Sequence, residues 1–324
     1  MKSFSRSWNT TRLKHSKPCR RCPRDAADRG AYLLMKQLGR LYLETVEKLH
    51  QAGIDGAPTD ALHLFEFCLG ATREQLVLHP DREVDEQQAA FLEETVNRRL
   101  TREPLQYIIG IREFWSLDFF VSPAVLIPRP ETEFLLDRVL GVLRRTGAAG
   151  QPILDMCTGS GVIAVVLAME KASARIVAAD RSAGALRVAA RNIARHGRKG
   201  SISLVCSDLF GALRPGPHFG AIVANPPYIA VGDFDSLQPE VRDWEPRSAL
   251  LAGKRGLDVI ERLAWEGHQY LIPGGWMFME IGADQEDEVY TLFGGRENRI
   301  YDQVEVLRDW AGKPRVLQAR RKAG

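Results

Sequence analysis

From Glu131 to the end of the sequence, short apolar runs alternate with stretches of helical periodicity, and this alternation restricts the fold more than any other feature. Five runs are predicted to be strands, at residues 153–154, 176–179, 204–205, 221–223 and 276–281. Helical stretches follow the first two, one beginning at Val162 and one ending at His196. This order predicts an α/β fold with a mostly parallel, doubly wound sheet. Two further strands around the turn at 312–314 predict an antiparallel hairpin at the sheet edge.

The chain before Glu131 divides into three regions. Residues 1–34 are rich in Ser, Thr, Lys and Arg without a periodic apolar face, which predicts a disordered basic leader. Residues 35–103 have apolar residues at three- and four-residue steps, with Asp60 and Asp85 as expected N-caps, and predict a small helical docking domain. Residues 104–130 predict a β-hairpin linker, with strands at 107–110 and 119–121 on either side of Trp115. The α/β domain then covers residues 131–324.

The net charge of +3 is unevenly distributed. Residues 1–34 hold nine Lys or Arg against two acidic residues, whereas the rest of the chain holds 35 against 39. A mildly acidic body does not favour a nucleic-acid enzyme, whose binding face is basic. The sequence also lacks an apolar run of about 18 residues and a secretion signal. We therefore expect a cytoplasmic protein without membrane association or direct nucleic-acid contact.

The cysteines favour a reducing compartment. There are five, at scattered positions, and an odd number does not suit a disulfide framework. Cys19 and Cys22 form a C-R-R-C pair, but a zinc site needs four ligands and only His15 is close. We expect no metal, and we interpret the pair as part of the leader.

A nucleoside site is predicted where the first three strands of the sheet end. The first strand ends in D-M-C-T-G-S-G (residues 155–161), whose glycines permit a sharp turn and close approach to a ligand. Asp180 ends the second strand and suits the hydroxyl pair of a ribose. Asp208 follows the third strand, where it could accept from an adenine amino group while Leu209 packs on the ring. Three acids at successive strand ends favour a nucleoside over solvated surface residues.

The nucleoside is predicted to be S-adenosylmethionine rather than NAD. A dinucleotide prefers the full G-x-G-x-x-G pattern, whereas this loop has C-T-G-S-G preceded by an acid. That carboxylate would repel a pyrophosphate but favour a sulfonium cofactor with its ammonium group. The predicted cofactor-binding residues are Asp155, Cys157, Thr158, Gly159, Ser160, Gly161, Asp180, Asp208, Leu209 and Asn225.

The catalytic element is predicted to be N-P-P-Y, directly after the fourth strand. A nitrogen whose lone pair is delocalised, as in an amide or a base amine, is a poor nucleophile. The Asn225 side-chain carbonyl and the Pro226 backbone carbonyl can each accept one N–H of such a group, which stabilises the positive charge of the transition state. Pro226 and Pro227 fix the backbone, and Tyr228 is expected to form a flat wall. The motif indicates a planar NH₂ substrate but does not separate glutamine from adenine, cytosine or guanine.

Taken together, the motifs resemble those of the peptide-chain release factor glutamine methyltransferases. The resemblance covers residues 35 to the C-terminus. Its most specific part is the combination of I-P-R-P-E-T-E (127–133) with N-P-P-Y (225–228). It extends to R-E-F-W (112–115), E-P (245–246), A-L (249–250), G-L-D (256–258), G-G (274–275) and E-I-G (280–282).

The resemblance implies a helical N-terminal domain, a β-hairpin linker and a Rossmann-like class I methyltransferase domain. It implies methylation of N5 of the glutamine in the Gly-Gly-Gln loop of class 1 release factors, with residues 157–161, Asp180, Leu209 and Asn225 at the cofactor. Residues 225–228 would hold the glutamine. Cys157 stands where many members have Gly, and Leu209 where some have Trp. Two alternatives are a ribosomal-protein glutamine methyltransferase, which I-P-R-P-E-T-E disfavours, and a DNA adenine-N6 methyltransferase, which should have a basic groove.

Overall fold

Five helices form the N-terminal part of the chain in the computed structural model, which describes residues 36–146, 150–170, 175–295 and 299–323. The leader predicted at residues 1–34, with Cys19 and Cys22, lies outside the described residues. The helices are α1 (Leu38–Gln51), α2 (Ala57–Leu69), α3 (Arg73–Leu78), α4 (Glu86–Leu100) and α5 (Leu105–Ile109), and two short strands, β1 (Lys36–Gln37) and β2 (Glu83–Val84), pair beside them. Their inward faces share one apolar cluster, in which Leu38, Leu64 and Phe65 are fully buried. The helical domain therefore has its own core.

The two predicted N-caps have different outcomes. Asp85 caps α4 as predicted, because its carboxylate accepts the Gln88 N–H at 2.8 Å. The prediction for Asp60 is wrong. α2 already begins at Ala57, with a proline in its first turn, where no amide hydrogen is needed. Asp60 lies inside the helix and accepts from the Arg99 guanidinium at 2.8 Å.

The linker contains a helix followed by a hairpin. The predicted strand at 107–110 is wrong, because residues 107–109 belong to α5, which begins after Pro104 and is followed by Gly110 as its C-cap, with a left-handed φ of 79°. The local start and stop signals therefore outweigh the strand preference of a short apolar run. The hairpin consists of β3 (Ile111–Phe114) and β4 (Leu117–Phe120). Trp115 lies between the strands as predicted, and it and Ser116 both have positive φ, which suits a tight hairpin turn.

Seven strands form one sheet in the order β10-β11-β9-β8-β5-β6-β7. They are β5 (Ile153–Met156), β6 (Ile176–Asp180), β7 (Ile202–Cys206), β8 (Phe219–Ala224), β9 (Leu271–Glu280), β10 (Tyr301–Arg308) and β11 (Pro314–Arg321). β5 to β9 run parallel to one another, and β11 pairs antiparallel with both β9 and β10. The α/β fold, its mostly parallel sheet and the C-terminal antiparallel hairpin are confirmed.

Helices cover both faces of this sheet. They are α6 (Pro130–Thr146), α7 (Val162–Glu170), α8 (Ala183–Arg195), α11 (Asp258–Glu266) and α12 (Glu286–Gly294). Two shorter helices, α9 (Pro239–Arg242) and α10 (Arg247–Leu250), lie in the segment between β8 and α11. Ile153 and Val223 point into a core shared with α6 and α7. Their neighbours Leu154 and Ile222 point into a second core shared with α11 and α12. Burial on both faces explains why the strands appear in the sequence as continuous apolar runs.

The direction of the chain across the sheet reverses beside β5. From β5 the chain moves outward to β6 and β7, and it then returns to β8 on the other side of β5. Loops that leave the C-terminal ends of β5 and β8 diverge at such a point, which opens a crevice for a ligand. The fold thus places its principal site between these two strand ends.

Glu240 in α9 links the helical domain to the segment after β8. Its carboxylate accepts from Arg99 at 2.9 Å and from Arg102 at 2.8 Å. The Arg99 side chain is 7% exposed and also pairs with Asp60. Because these charges lie largely out of water, the contact fixes the two regions relative to each other more firmly than a surface ion pair would.

Candidate active site

A cavity opens at the C-terminal ends of β5, β6, β7 and β8. It encloses about 1020 Å³, its open mouth included, which is ample for a ligand of nucleoside size. The predicted site residues on its wall are Cys157, Thr158, Gly159, Ser160, Asp180, Asp208, Leu209, Asn225 and Pro227. Asp155, Gly161, Pro226 and Tyr228 lie beside or behind the wall. The structure thus gathers most of the predicted residues around one space.

The loop after β5 turns through three left-handed residues. Cys157, Gly159 and Gly161 have φ of 61°, 54° and 81°. Gly161 also needs to lack a side chain, because a Cβ there would lie 3.1 Å from the Cβ of Ala189 in α8. Cys157 has a side chain in this unfavourable conformation, at a cost of about 1 kcal/mol. Glycine at this position would avoid that strain.

Asp180 braces the same loop. One carboxylate oxygen accepts from the Gly159 N–H at 2.9 Å and the other from the Ser182 N–H at 2.8 Å. Each oxygen keeps a further lone pair, and the side chain lies on the cavity wall. The carboxylate is therefore held in place before any ligand arrives, and it can accept from two neighbouring hydroxyl groups.

Asp155 lies behind the loop and is fully buried. Its Oδ2 accepts from the Thr158 hydroxyl at 2.5 Å and from the Ala164 N–H at 3.1 Å. Its Oδ1 is buried without a hydrogen-bond partner. Burial raises the pKa of Asp155 to about 7, against the opposing effect of these two donors. The residue ties the loop to α7 and does not itself line the cavity.

Asp208 and Leu209 form the wall beyond β7. The Asp208 side chain is exposed, and both of its oxygens lie 3.1 Å from the Arg262 guanidinium. Leu209 is buried, with a left-handed φ of 47°. The Ser207 hydroxyl maintains this turn by donating to the Leu209 carbonyl at 2.6 Å and accepting from the Ala212 N–H at 3.0 Å. An acceptor and an apolar surface thus stand side by side, as an adenine ring requires.

Asn225 follows β8 and belongs to a chain of hydrogen bonds between side chains. Its amide Nδ2 donates to the Thr132 hydroxyl at 3.1 Å. The Thr132 hydroxyl donates to Glu280 Oε2 at 2.8 Å, and the Tyr228 hydroxyl donates to Glu280 Oε1 at 3.2 Å. The chain brings together the first turn of α6, the end of β8 and the last residue of β9.

Glu280 is the buried centre of this chain, with 1% exposure. Burial raises the pKa of Glu280, while the Thr132 hydroxyl, the nearby Arg315 charge and the Tyr228 hydroxyl act in the opposite direction. Burial also raises the pKa of Tyr228, and the neighbouring Glu280 adds to the effect. Tyr228 therefore remains a neutral donor, and its hydroxyl faces Glu280 rather than a ligand.

The backbone of the N-P-P-Y segment is held from outside the segment. The Tyr228 carbonyl accepts from Gln285 Nε2 at 3.0 Å. Gly256 packs so closely that a Cβ at this position would lie 2.3 Å from the same carbonyl oxygen. Nearby, Arg129 pairs with the buried Glu245 at 2.5 Å, next to Pro246, which lines the cavity. I-P-R-P-E-T-E, N-P-P-Y, E-P and E-I-G, four of the segments that carried the resemblance, thus meet at one end of the cavity.

Sequence reasoning assigned no role to Thr132 or Glu280. Both stand in segments quoted for the resemblance, I-P-R-P-E-T-E and E-I-G, so a signal was present. What the sequence did not show is that they meet, because they are 148 residues apart. Their contact depends on α6 and β9 crossing the same end of the sheet.

The residues present fit S-adenosylmethionine. The fixed Asp180 carboxylate suits ribose hydroxyls, and the Asp208–Leu209 turn suits adenine. Within the described ranges, no group of three or more His, Cys, Asp or Glu residues could hold a metal ion. No described helix is long and apolar enough to cross a membrane.

The sheet order, the glycine-rich loop, the acids after it and the N-P-P-Y tip define an S-adenosylmethionine-dependent methyltransferase with a Rossmann-like class I fold. Family models agree: residues 41–110 match the PrmC N-terminal domain, and residues 132–237 match the Methyltransferase small domain. The chain belongs to the release factor glutamine methyltransferase family.

Named relatives support this membership. A release factor glutamine methyltransferase of Koribacter versatilis is 41% identical over 258 residues, which are 80% of this chain and 89% of the relative. The Salmonella typhimurium protein of the same name is 37% identical over 277 residues, 86% of this chain and 96% of that one. Among solved structures, a release factor-specific protein-(glutamine-N5) methyltransferase from Alicyclobacillus acidocaldarius is 29% identical. The match covers 63% of this chain and 99% of that one, with a TM-score of 0.38.

Proposed function

We propose that the protein transfers a methyl group from S-adenosylmethionine to the side-chain amide nitrogen, N5, of the glutamine in the Gly-Gly-Gln motif of class 1 peptide-chain release factors, in the cytoplasm. Family membership supports the substrate, since the relatives are named for it. The observation that carries the chemistry is the orientation of Asn225. Its amide NH₂ is engaged by Thr132, which turns the carbonyl end the other way.

The cofactor half of the cavity supplies binding. Asp180 would accept from the two ribose hydroxyls, and Asp208 from the adenine amino group, with Leu209 against the ring. The loop at 157–161 would lie along the rest of the cofactor, with Asp155 behind the loop. When bound there, the cofactor supplies an electrophilic methyl group on a positively charged sulfur.

The N-P-P-Y segment after β8 would hold the nucleophile, the amide nitrogen of the substrate glutamine. Asn225 Oδ1 and the Pro226 carbonyl oxygen would each accept one N–H of the glutamine side-chain amide. Among the described residues, no protein group donates to either oxygen, so both are available. Two prolines in succession fix the direction of the Pro226 carbonyl. A planar NH₂ group held at both hydrogens has its π face directed at the methyl carbon.

The glutamine nitrogen would form its bond to the methyl carbon as the carbon–sulfur bond breaks, and the electron pair of the broken bond would stay on sulfur. Positive charge develops on the nitrogen during this step, so both hydrogen bonds to it strengthen. Such acceptors stabilise the transition state more than the ground state. The methylated nitrogen afterwards loses one proton to water, for which no strong base is needed.

The proposal is tested by incubating the protein with radiolabelled S-adenosylmethionine and one of four substrates. These are a class 1 release factor, the same factor with its Gly-Gly-Gln glutamine changed to alanine, a ribosomal protein and duplex DNA. Label should enter the first substrate alone, and mass spectrometry should place one methyl on the glutamine. Label in the alanine variant or mainly in DNA would overturn the proposal.

We also propose that residues 35–103 dock the release factor. These helices contribute nothing to the cavity wall, yet they expose large apolar side chains, including Leu43, Phe67 and Phe91. Phe67 and Phe91 form one surface patch, with ring centroids 5.7 Å apart. Changing both to Ser should raise the KM for the release factor and leave cofactor affinity unaltered. An unchanged KM would remove the patch from the docking surface.

A further inference from the structure

We infer that Thr132 and Glu280 are positioning residues that determine which end of the Asn225 side-chain amide faces the methyl acceptor. The inference rests on the proposed function, because it concerns the oxygen that grips the substrate NH₂. Neither residue is expected to touch the reacting atoms. Their effect passes through Asn225.

The direction of the hydrogen-bond chain follows from what each group can do. The two hydroxyl donors and the nearby Arg315 charge favour the ionised form of Glu280. An ionised carboxylate only accepts, so both hydroxyls that reach Glu280 donate to it, Thr132 at 2.8 Å and Tyr228 at 3.2 Å. A hydroxyl has a single hydrogen, which Thr132 thus directs at Glu280. Only lone pairs remain on the Thr132 oxygen, and only the NH₂ end of Asn225 can bond to them, at 3.1 Å. The Asn225 carbonyl oxygen therefore faces away from Thr132.

Such a device is needed because shape alone does not orient an amide. The oxygen and NH₂ ends of asparagine are nearly equal in size. Rotated by half a turn, Asn225 would present its own NH₂ to the NH₂ of the substrate, two donors face to face. The acceptor that strengthens in the transition state would then be lost. A fixed direction of hydrogen bonding is what distinguishes the two orientations.

Burial makes the selection effective. Thr132 is 2% exposed and Glu280 1% exposed, so solvent does not compete for either group. Hydrogen bonds to a charged group are stronger in such surroundings. The charged side chains that interact with Glu280 are Arg315, which favours its ionised form, and Glu131, which opposes it. Arg315 is itself held by Asp309 at 3.3 Å.

A matched set of variants separates positioning from general stability. Thr132→Val keeps the side-chain shape and removes the hydroxyl, whereas Thr132→Ser keeps the hydroxyl. Thr95→Val makes the same chemical change at a site that is also 2% exposed but does not line the cavity. For each variant, kcat and the KM for the release factor are measured at saturating cofactor, together with the cofactor Kd by calorimetry and the Tm.

Thr132→Val should lower kcat roughly 10- to 100-fold, as expected for loss of one oriented acceptor, with the cofactor Kd changed less than about threefold. Thr132→Ser should restore kcat to within about threefold of the wild type, since a serine hydroxyl can make the same two bonds. Thr95 belongs to the proposed docking domain, so Thr95→Val should at most lower Tm and raise the KM for the release factor, without lowering kcat. A wild-type kcat in Thr132→Val, or equal losses in Thr132→Val and Thr132→Ser, would overturn the inference.

Glu280→Gln tests whether Glu280 determines the direction in which the Thr132 hydroxyl donates. Glutamine can donate as well as accept, so it no longer forces the Thr132 hydroxyl to point towards it. We expect a kcat between those of the wild type and Thr132→Val. A kcat equal to that of the wild type would remove Glu280 from the mechanism.

A measurement that does not depend on methylation tests the orientation of Asn225 separately from the identity of the substrate. In protein labelled with ¹⁵N-asparagine, the Asn225 side-chain NH₂ signal is assigned by its absence in Asn225→Asp. Its hydrogen exchange should be slow in the wild type and in Thr132→Ser, and fast in Thr132→Val. This result together with no methylation of the release factor would overturn the proposed function alone. Equal exchange in all three proteins would overturn the inference about Asn225.

Discussion

The proposed function divides the cavity into a cofactor half around Asp180 and an acceptor half around Asn225, and different kinds of contact hold these two residues in place. In the cofactor half, Asp180 is fixed by backbone N–H groups from residues 2 and 21 positions away. In the acceptor half, Asn225 is fixed by side chains, and the links of its chain span 93 and 148 residues. The geometry of the cofactor half therefore depends on contacts between one strand and its neighbouring loops. The acceptor half exists only when distant elements of the fold have come together.

The largest effect is expected for Asn225, the residue of the acceptor half that would bind the substrate amide. Asn225→Ala should lower turnover roughly 10²-fold or more, because an acceptor that strengthens in the transition state is lost. Cofactor affinity should stay within about tenfold, since the cofactor half is intact. Single-turnover kinetics and calorimetry check the two quantities. Undiminished turnover would show that Asn225 does not stabilise the transition state.

The next effect belongs to the cofactor half. Asp180→Ala should raise the cofactor Kd roughly 10- to 100-fold, because hydrogen bonds to a fixed carboxylate are lost. Asp208→Ala is the matched control, and it should raise Kd by only about threefold, because this carboxylate is exposed and already paired with Arg262. Calorimetry on both variants decides the order, and a larger effect at Asp208 would contradict the assignment of Asp180 to the ribose.

A third variant tests Asp155, the buried carboxylate behind the cofactor half. Burial raises the pKa of Asp155 from 3.8 in the unfolded chain to about 7 in the folded protein. Between these values the folded state holds a proton that the unfolded state has released, so the free energy of unfolding falls as pH rises from about 4 to 7 and then levels off. Asp155→Asn should lack this slope.

The measurement is Tm against pH for both proteins without cofactor. We expect the stability of wild type relative to Asp155→Asn to fall by several degrees between pH 5 and 7. Parallel curves would show that Asp155 is ionised in the fold. Cofactor Kd provides a second reading: because Asp155 does not line the cavity, its loss should weaken binding less than Asp180→Ala does.

The smallest effect concerns the backbone of the cofactor half. Cys157 has a φ of 61°, which glycine adopts without strain. Cys157→Gly should be more stable than Cys157→Ala by about 1 kcal/mol, since both lack the thiol and only alanine keeps the strained Cβ. Urea unfolding of the pair measures the difference. Equal stabilities would mean that the loop relaxes around a side chain at this position.

The same division explains what could be predicted from sequence. The sheet was predictable because strands buried on both faces appear as apolar runs between helices, and the acids of the cofactor half stand directly at strand ends. The helix α5 was mistaken for a strand because its five residues carry too little pattern, and only Pro104 and Gly110 mark its ends. The short helix α3 was missed, although Thr72 and Gln75 form a capping box.

The chain from Asn225 to Glu280 could not be predicted in this way. No periodicity connects the first turn of α6 with the last residue of β9, and hydrogen bonding between them depends on how the helix crosses the sheet. The role expected for Tyr228 shows the same limit. The motif predicts a ring beside the ligand, and it carries no sign that the Tyr228 hydroxyl bonds to Glu280. Tertiary geometry decides such contacts, and a single sequence records only the residue types.

The bridge made by Glu240 has a consequence for how such proteins can be recombined. Arg99 and Arg102 on one side and Glu240 on the other connect the helical domain to the segment that follows N-P-P-Y. Helices grafted from another protein would need a basic residue at each of these two positions. Without these basic residues, the largely buried Glu240 carboxylate would lack a charged partner, at a cost of several kcal/mol. Exchange of docking specificity between relatives should therefore succeed only when both sides of this bridge are transferred together.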